Sequence, residues 1–328
     1  MKCGYSKVLE HVFVPGGHSF ALRLRMSLYL EDDYNNPLPF HLNLINTKLN
    51  VSESNYPNTV LFYHYTSERS HDSIQLYIGD ERSLKLSQFN PKKPTVIITH
   101  GWQNNYLSPP CVYIRGAYAR HGDYNIIVID WGALALDGLY TVADRVQSVA
   151  KYASKMLDFL VSQGMDPSTT TIIGHSFGAH VAGLASYYAK NKVNYIVGLD
   201  PAGPGFRGKG KGTRLSKDDA NYVQAIHTTF IFGTVDTIGH ADFYVNGGLD
   251  QVGCSIPVIC GHIRSYEYFT ESISSKGFVA RKCDHYAAYQ LGLCNSNQAV
   301  YMGGIIPDQN AKGTYYLNTN PHPPFAKN

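Results

Sequence analysis

The chain has 328 residues, of which 44% are hydrophobic and 16% are charged, so it is long and apolar enough to bury a large core. This composition excludes disordered, collagen-like and coiled-coil proteins. A formal net charge of +3 is too small to predict nucleic-acid binding, although it allows weak attraction to anionic surfaces.

Residues 1–59 form an N-terminal extension for which the sequence predicts no clear element, because residues 12–55 lack clear hydrophobic periodicity. No signal peptide is visible, since Arg23 and Arg25 interrupt the only apolar stretch, residues 19–30. A signal peptide is therefore either missing from this sequence or not used. No apolar run is long enough to predict a membrane span.

From about residue 91 onward, predicted strands and helices alternate along the chain. Apolar runs predict strands at residues 96–99, 125–130, 169–174, 195–199 and 222–227. An apolar stripe at helical spacing predicts a helix over residues 142–161. The alternation indicates an α/β fold with a mostly parallel central sheet flanked by helices, and with its site at the carboxyl ends of the strands. Because no internal repeat or long linker is present, we expect a single domain over residues 1–328.

Residues 174–178 have the sequence G-x-S-x-G and lie between a predicted buried strand and an amphipathic helix. The glycines allow Ser176 to occupy a turn too tight for flanking side chains, which exposes its hydroxyl to a histidine. The pentapeptide alone is also found by chance, so its flanks carry the argument. They predict that Ser176 is the nucleophile of a serine hydrolase.

A serine nucleophile needs a base and a carboxylate that orients the base. Asp200 follows the strand after the serine and is the candidate carboxylate, with helix capping as the alternative. His262 is the candidate base among fourteen histidines, and the order Ser, Asp, His is that of α/β-hydrolases. Another histidine as base is the alternative, although His175 and His180 beside the serine are interpreted as packing residues.

The transition state needs two N–H donors for the developing oxyanion. The residue after the nucleophile, Phe177, supplies one backbone N–H. The loop after the strand at residues 96–99 supplies the second, which we assign to Trp102.

These residues lie in a series of ordered motifs. The motifs are at residues 99–102 (THGW), 129–131 (IDW), 174–180 (GHSFGAH), 198–202 (GLDPA), 226–228 (IHT), 239–244 (GHADFY), 246–248 (NGG) and 262–266 (HIRSY). On these motifs, residues 60–318 closely resemble the catalytic region of the pancreatic-type lipase family. The resemblance implies an α/β-hydrolase fold, the triad Ser176, Asp200 and His262, and lipid esters as substrates.

The segment before the catalytic histidine departs from the triacylglycerol lipases of the family, which carry a lid between two cysteines there. Here the corresponding cysteines are Cys254 and Cys260, and the five residues between them are too few for a stable amphipathic flap. The segment between His227 and His240 is also short. Both features resemble the short-lid insect phospholipase A1-like branch. A neutral triacylglycerol or carboxylester lipase is the alternative, followed by a non-catalytic lipid-binding or yolk-type storage protein.

Other departures from the family limit the partners and cofactors that we expect. No C-terminal β-sandwich domain follows the catalytic region, so we expect a lipid surface as partner and no obligate protein partner. The stretch that corresponds to the calcium site of the family, residues 211–219, has Lys211 and Ser216 in place of acidic ligands, which predicts no bound calcium and no cofactor. The basic stretch at residues 207–211 is interpreted as a solvated loop, with anionic lipid headgroups as the alternative ligand.

The resemblance further implies the disulfides Cys254–Cys260 and Cys283–Cys294 and leaves Cys3–Cys111 as the third. The sequence alone permits fifteen connectivities of its six cysteines. Three disulfides predict an oxidising compartment, and hence a secreted, extracellular protein.

Overall fold

The structure, a computed structural model, describes residues 3–11, 22–31, 37–42, 53–255 and 257–327. Its side chains are described from residue 55 onward, except that of residue 257. In chain order the strands and α-helices are β1 Cys3–His11, β2 Leu22–Glu31, β3 Pro37–Leu42, β4 Leu61–Thr66, β5 Ile74–Leu76, α1 Glu81–Leu86, β6 Thr95–Thr99, α2 Pro109–His121, β7 Asn125–Asp130, α3 Leu139–Ser162, β8 Thr170–His175, α4 Phe177–Tyr188, β9 Tyr195–Leu199, β10 Tyr222–His227, β11 Ala241–Val245, α5 Pro257–Ser272, β12 Val279–Lys282, α6 Tyr286–Gln290, β13 Ala299–Tyr301 and β14 Gly313–Leu317.

Strands β4–β14 form one sheet in the order β13-β12-β14-β11-β10-β9-β8-β6-β7-β4-β5. The seven neighbouring strands from β14 to β7 are parallel, and the outer strands on both sides pair antiparallel. All five predicted strands and the predicted helix are confirmed, with ends that differ by at most three residues. The sequence did not predict the outer strands β4, β5, β12 and β13, nor the strands β11 and β14 of the parallel part. All six are only three to six residues long.

Helices cover both faces of this sheet, and the strand side chains alternate between the two cores. Ile97 and Ile172 pack on the side of α3 and α4, whereas Ile98 and Ile173 pack on the side of α2 and α5. Strands with both faces buried need apolar residues at every position, which explains why the central strands are continuous apolar runs. The topology is that of the α/β-hydrolase fold, as expected from the sequence.

Strands β1, β2 and β3 form a separate antiparallel sheet, in which Cys3 pairs with Leu30 and Met26 pairs with Leu42. The interpretation of residues 12–55 as lacking clear periodicity is therefore wrong for β2. Its sequence, LRLRMSLYLE, alternates apolar and polar residues with the period of a strand. The two arginines that interrupt the apolar stretch belong to this alternation.

Two of the three expected disulfides are present. Cys254 and Cys260 are joined with their Cα atoms 5.6 Å apart, and Cys283 and Cys294 with theirs 5.7 Å apart. The prediction of the third disulfide, Cys3–Cys111, is wrong, because Cys111 is a free and fully buried thiol. It lies on the face of α2 that packs against the sheet, where burial raises the pKa of the thiol. The side chain of Cys3 lies outside the described residues.

No helix in the described part of the chain is both long enough and apolar enough to cross a membrane.

Candidate active site

Ser176 occupies a sharp turn between β8 and α4, with φ 59° and ψ −125°. A Cβ atom at Gly174 would lie 2.2 Å from the carbonyl oxygen of Gly178, and one at Gly178 would lie 2.4 Å from the carbonyl oxygen of His100. Both positions therefore require glycine. This unusual backbone conformation holds the serine at the carboxyl end of the sheet, as a nucleophile elbow does.

Asp200 follows β9 directly and is fully buried. Its Oδ1 accepts hydrogen bonds from the backbone N–H groups of Thr228 (2.8 Å) and Thr229 (3.0 Å), and its Oδ2 accepts one from the Thr229 hydroxyl (2.5 Å). Burial alone would raise the pKa of Asp200, but the interactions with His262, Thr229 and Thr228 outweigh it and lower the pKa. The site therefore holds Asp200 as a carboxylate.

His262 lies on α5, with its Nδ1 2.6 Å from Oδ2 of Asp200. Because a carboxylate only accepts, Nδ1 donates the proton of this bond, and Nε2 of a neutral ring is left as the basic nitrogen. The side chain is 14% exposed, and it lines the same cleft as Ser176. The structure thus brings together the three residues that the sequence selected: Ser176, Asp200 and His262.

The two histidines beside the serine have structural partners. His175 Nε2 donates to the His262 carbonyl oxygen at 3.1 Å, and the two rings are 4.5 Å apart. His180 Nε2 donates to the Ala202 carbonyl oxygen at 2.8 Å, while its Nδ1 accepts from the N–H of Leu215 at 3.1 Å. Burial lowers the pKa of both histidines to about 3, so both are neutral at physiological pH. This matches their interpretation as packing residues.

The loop after β6 passes directly beside the serine. A Cβ atom at Gly101 would lie 2.6 Å from the Cβ of Ser176, so the chain between Gly101 and Trp102 borders the reacting position. His100 supports this loop through Nδ1, 2.9 Å from the Gly101 carbonyl oxygen, and through Nε2, which accepts from the N–H of Trp131 at 3.1 Å. Phe177 begins α4, where backbone N–H groups point out of the helix.

Ser176 and His262 line an open cleft. Apart from Ser176, His175, His262 and Asn104, its lining side chains are apolar or aromatic, including Trp102, Leu139, Phe177, Phe232, Ile259 and Ile263. Ile259 comes from the short segment between Cys254 and Cys260, which enters α5 at Pro257. That segment therefore forms part of the wall of the cleft.

The stretch that corresponds to the calcium site of the family is internally bonded. Lys211 Nζ lies 3.5 Å from a carboxylate oxygen of Asp218, and the Ser216 side chain accepts from the N–H of Asp218. Asp219 Oδ2 accepts from the N–H of Ser216 at 2.8 Å, and burial raises the pKa of Asp219 to about 7. The described residues contain no cluster of three or more His, Cys, Asp or Glu side chains suited to a metal ion.

The residues that hold Asp200 are not among those predicted from the sequence. Thr229 contributes two of its hydrogen bonds, and a Cβ atom at Gly233 would lie 2.4 Å from Asp200 Oδ1. Phe232 forms a wall of the cleft and its ring lies 5.6 Å from that of His262. All three residues follow the carboxyl end of β10, which is the strand next to β9. This position in the sequence is the feature from which a role near Asp200 could have been predicted.

Comparisons with known proteins identify the family of the chain. The lipase family model matches residues 32–325. A phospholipase A1 of Vespa crabro is 32% identical over 253 residues, covering 72% of this chain and 84% of that protein. A pancreatic triacylglycerol lipase of Myocastor coypus is 32% identical over 315 residues, covering 83% of this chain and 67% of that protein. Because the family model covers most of its residues, the chain belongs to the lipase family.

Proposed function

We propose that the chain is a secreted serine carboxylic-ester hydrolase that acts as a phospholipase A1, cleaving the sn-1 acyl ester of glycerophospholipids. The observation that carries the proposal is the hydrogen-bonded pair of the buried Asp200 and the partly exposed His262, which lines the same cleft as Ser176. Such a pair activates a serine hydroxyl because the histidine can take its proton and the carboxylate stabilises the resulting imidazolium.

In this mechanism Ser176 Oγ attacks the ester carbonyl carbon while His262 Nε2 accepts the hydroxyl proton. The backbone N–H groups of Trp102 and Phe177 bind the oxyanion, which in comparable sites contributes about 10²–10³ in rate per donor. His262 then gives the proton to the leaving lysophospholipid oxygen, and an acyl-enzyme remains. Water, activated by His262, hydrolyses this intermediate and releases the fatty acid.

The form of the entrance supports a phospholipid substrate. The segment between Cys254 and Cys260 is closed by a disulfide with a Cα–Cα distance of 5.6 Å, and it ends in the first turn of α5. A segment this short has no amphipathic flap that could cover the serine. A polar headgroup can therefore remain in water while the acyl chain enters the apolar cleft.

A triacylglycerol or carboxylester lipase is the second candidate. The apolar lining of the cleft suits an acyl chain from any ester, and the pancreatic triacylglycerol lipase of Myocastor coypus is as similar in identity as the phospholipase A1 of Vespa crabro. A purely lipid-binding or storage role is less favoured, because such a role gives no reason for a complete triad.

The remaining parts of the proposal concern location and cofactors. Two disulfides support an oxidising, extracellular location. The internal bonding of residues 211–219 supports hydrolysis without calcium, and we propose that neither a cofactor nor an obligate protein partner is needed.

The test offers the purified protein phosphatidylcholine labelled at sn-1 or at sn-2, and triolein, with Ser176→Ala as the matched control. Release of the sn-1 label by the wild type alone supports the proposal. Release from triolein without release from phosphatidylcholine replaces the phospholipase by the second candidate. If no ester is cleaved, the catalytic proposal is overturned and the storage role is favoured.

A further inference from the structure

The amide side chain of Gln251 is buried near the carboxyl ends of β10 and β11. Gln251 lies between β11 and α5, and it is 4% exposed. Its Nε2 donates to the carbonyl oxygen of Thr228 at 2.9 Å and to that of Val245 at 2.8 Å. Thr228 directly follows β10, and Val245 is the last residue of β11. The side chain therefore joins two neighbouring strands at the edge of the sheet where the candidate triad lies.

The oxygen of the same amide is bonded as well. Oε1 of Gln251 accepts from Nδ2 of Asn246 at 2.8 Å and from the hydroxyl of Tyr268 at 3.1 Å. A side-chain amide has two N–H donors and an oxygen with two lone pairs, so all of its hydrogen-bonding capacity is used. Because carbonyl oxygens face Nε2 and donors face Oε1, only one orientation of the amide satisfies every bond.

The bond to Thr228 acts on the peptide group that faces Asp200. The carbonyl of Thr228 and the N–H of Thr229 belong to this one planar group. Its oxygen accepts from Gln251, while its N–H donates to Oδ1 of Asp200 at 3.0 Å. Hydrogen bonds in a chain polarise one another, so a peptide group that accepts at its oxygen donates more strongly at its N–H. Gln251 therefore holds the peptide group in place and strengthens its bond to the buried carboxylate.

Gln251 also contacts the helix that carries His262. Its partner Tyr268 lies on α5, as does Gly261, the residue before the histidine. A Cβ atom at Gly261 would lie 2.7 Å from Cγ2 of Thr229 and 3.5 Å from Cγ of Gln251. The backbone of α5 therefore packs against Gln251 directly beside the catalytic histidine. A displaced amide would disturb the histidine as well as the carboxylate.

We propose that Gln251 is a positioning residue for hydrolysis by Ser176. Its amide holds the peptide group between Thr228 and Thr229 against Asp200, and Asp200 in turn holds His262. The inference rests on the proposed function, because it adds a residue to the same triad. Gln251 does not line the cleft, so it acts through the carboxylate and not on the substrate.

Gln251→Met tests this role, because methionine has a similar length but no N–H donor for the carbonyl oxygen of Thr228. On a soluble short-chain ester, kcat should fall about three- to tenfold, which is the effect of losing one hydrogen bond. KM should not change, because the cleft is not altered. The proton resonance of the His262 Nδ1–H, which bonds to Asp200 at 2.6 Å, should shift.

Thr319→Val is the matched control, because it breaks the same buried network at a group that Gln251 does not contact. The Thr319 hydroxyl accepts from Nδ2 of Asn246 at 2.9 Å and lies 3.2 Å from the hydroxyl of Tyr268. Both variants leave buried polar groups without a partner, so the thermal unfolding temperature should fall in both. Only Gln251→Met should lower kcat and shift the proton resonance, whereas a merely structural role predicts equal effects of the two variants.

A second measurement uses the wild type and does not depend on the folding of a variant. A p-nitrophenyl alkylphosphonate is added, from which Ser176 Oγ displaces p-nitrophenol to form a phosphonyl ester, and His262 beside it holds a proton. The side-chain amide resonance of Gln251 should shift, because this charge changes the field on the peptide group that Gln251 holds. The side-chain amide of Asn125, which is buried at the start of β7 and at the opposite edge of the sheet, should not shift.

Three results would overturn the proposal. One is a kcat and an Nδ1 proton resonance of Gln251→Met that equal those of the wild type. Another is an equal change of both quantities in Thr319→Val, and the third is a Gln251 amide resonance that does not move on phosphonylation. If the wild type cleaves no ester and does not react with the phosphonate, the proposed function is rejected instead. The proton resonance in Gln251→Met then still tests whether Gln251 holds the pair of Asp200 and His262.

Discussion

Replacing Thr229 by valine tests whether the hydrogen bonds to Asp200 hold the catalytic arrangement. The substitution keeps the shape of the side chain but removes the hydroxyl that donates to Asp200 Oδ2 at 2.5 Å and accepts from the N–H of Gly233 at 3.1 Å. Asp200 is fully buried, so no exposed surface lets bulk water replace the missing donor.

The expected loss of unfolding free energy follows from the kind of hydrogen bond that is removed. A hydrogen bond to a charged group contributes about 1.5–3 kcal/mol, so the free energy of unfolding at pH 7 should fall by roughly that amount. The variant should still fold, because a native protein has about 5–15 kcal/mol of stability. A less firmly held His262 should lower kcat about tenfold, which corresponds to about 1.4 kcal/mol. KM should change little, since Thr229 does not line the cleft.

The loss of unfolding free energy should also depend on pH. The hydrogen bonds lower the pKa of Asp200 in the folded protein, so their stabilisation is present above the pKa of an unfolded aspartate, about 3.9, and disappears as the pH falls through the folded value. Thr229→Val raises the folded pKa of Asp200 and reduces this stabilisation. The difference in unfolding free energy between wild type and variant should therefore be largest at neutral pH and should shrink in acid.

Thr229→Ser is the matched control, because it keeps the hydroxyl and removes only the methyl group. A Cβ atom at Gly261 would lie 2.7 Å from this methyl, which shows how closely the methyl packs there. The assays are kcat on a soluble short-chain ester and urea unfolding at pH 7 and in acid. If serine and valine lower kcat equally, or if valine leaves kcat unchanged, the hydroxyl does not have the role assigned to it.

Three further predictions concern the oxyanion loop, a buried carboxyl group and calcium. Gly101→Ala should lower kcat about 100-fold or more, since its Cβ would lie 2.6 Å from that of Ser176, whereas Gly210→Ala, at a glycine with open space, should have wild-type kcat. Burial raises the pKa of Asp219 to about 7, so its stabilisation is complete below about pH 3.9 and is lost as the pH rises through 7. Asp219→Asn should therefore be more stable than wild type at pH 8, on the order of 1–2 kcal/mol, and equal to it in acid, as urea unfolding would measure. A chelator should leave kcat unchanged, and activity that returns only with added calcium would contradict the proposed metal independence.

The central strands and the candidate triad could be predicted because buried strands impose a strong local pattern. Each of β6, β7, β8 and β9 is buried along most of its length, so nearly every position must be apolar. The site residues follow from this pattern, since the carboxyl ends of parallel strands meet at one edge. The residues that hold Asp200 could not be predicted in this way, because Thr229 and Gly233 act through contacts between loops.

The wrong prediction at Cys111 shows that the number of cysteines can be weaker evidence for a disulfide than the local sequence pattern. Cys111, Ile114 and Tyr118 lie three and four positions apart in α2 and are all buried against the sheet. A cysteine within such an apolar stripe is a core residue, and a fully buried thiol has little access to a disulfide partner. The helical pattern was therefore better evidence than the even number of cysteines.

The proposed reaction and the proposed substrate rest on different parts of this molecule. Asp200 and the strands that position it are buried and surrounded by contacts that leave little room for change, as Gly174 and Gly233 illustrate. The features on which the proposed substrate rests, such as the short Cys254–Cys260 segment and Phe232, lie at the entrance of the cleft and outside the sheet. A relative named as a phospholipase A1 and one named as a triacylglycerol lipase are equally similar to this chain in overall identity, at 32% each, so overall identity does not separate the two substrates. Evidence on the substrate must come from the rim of the cleft.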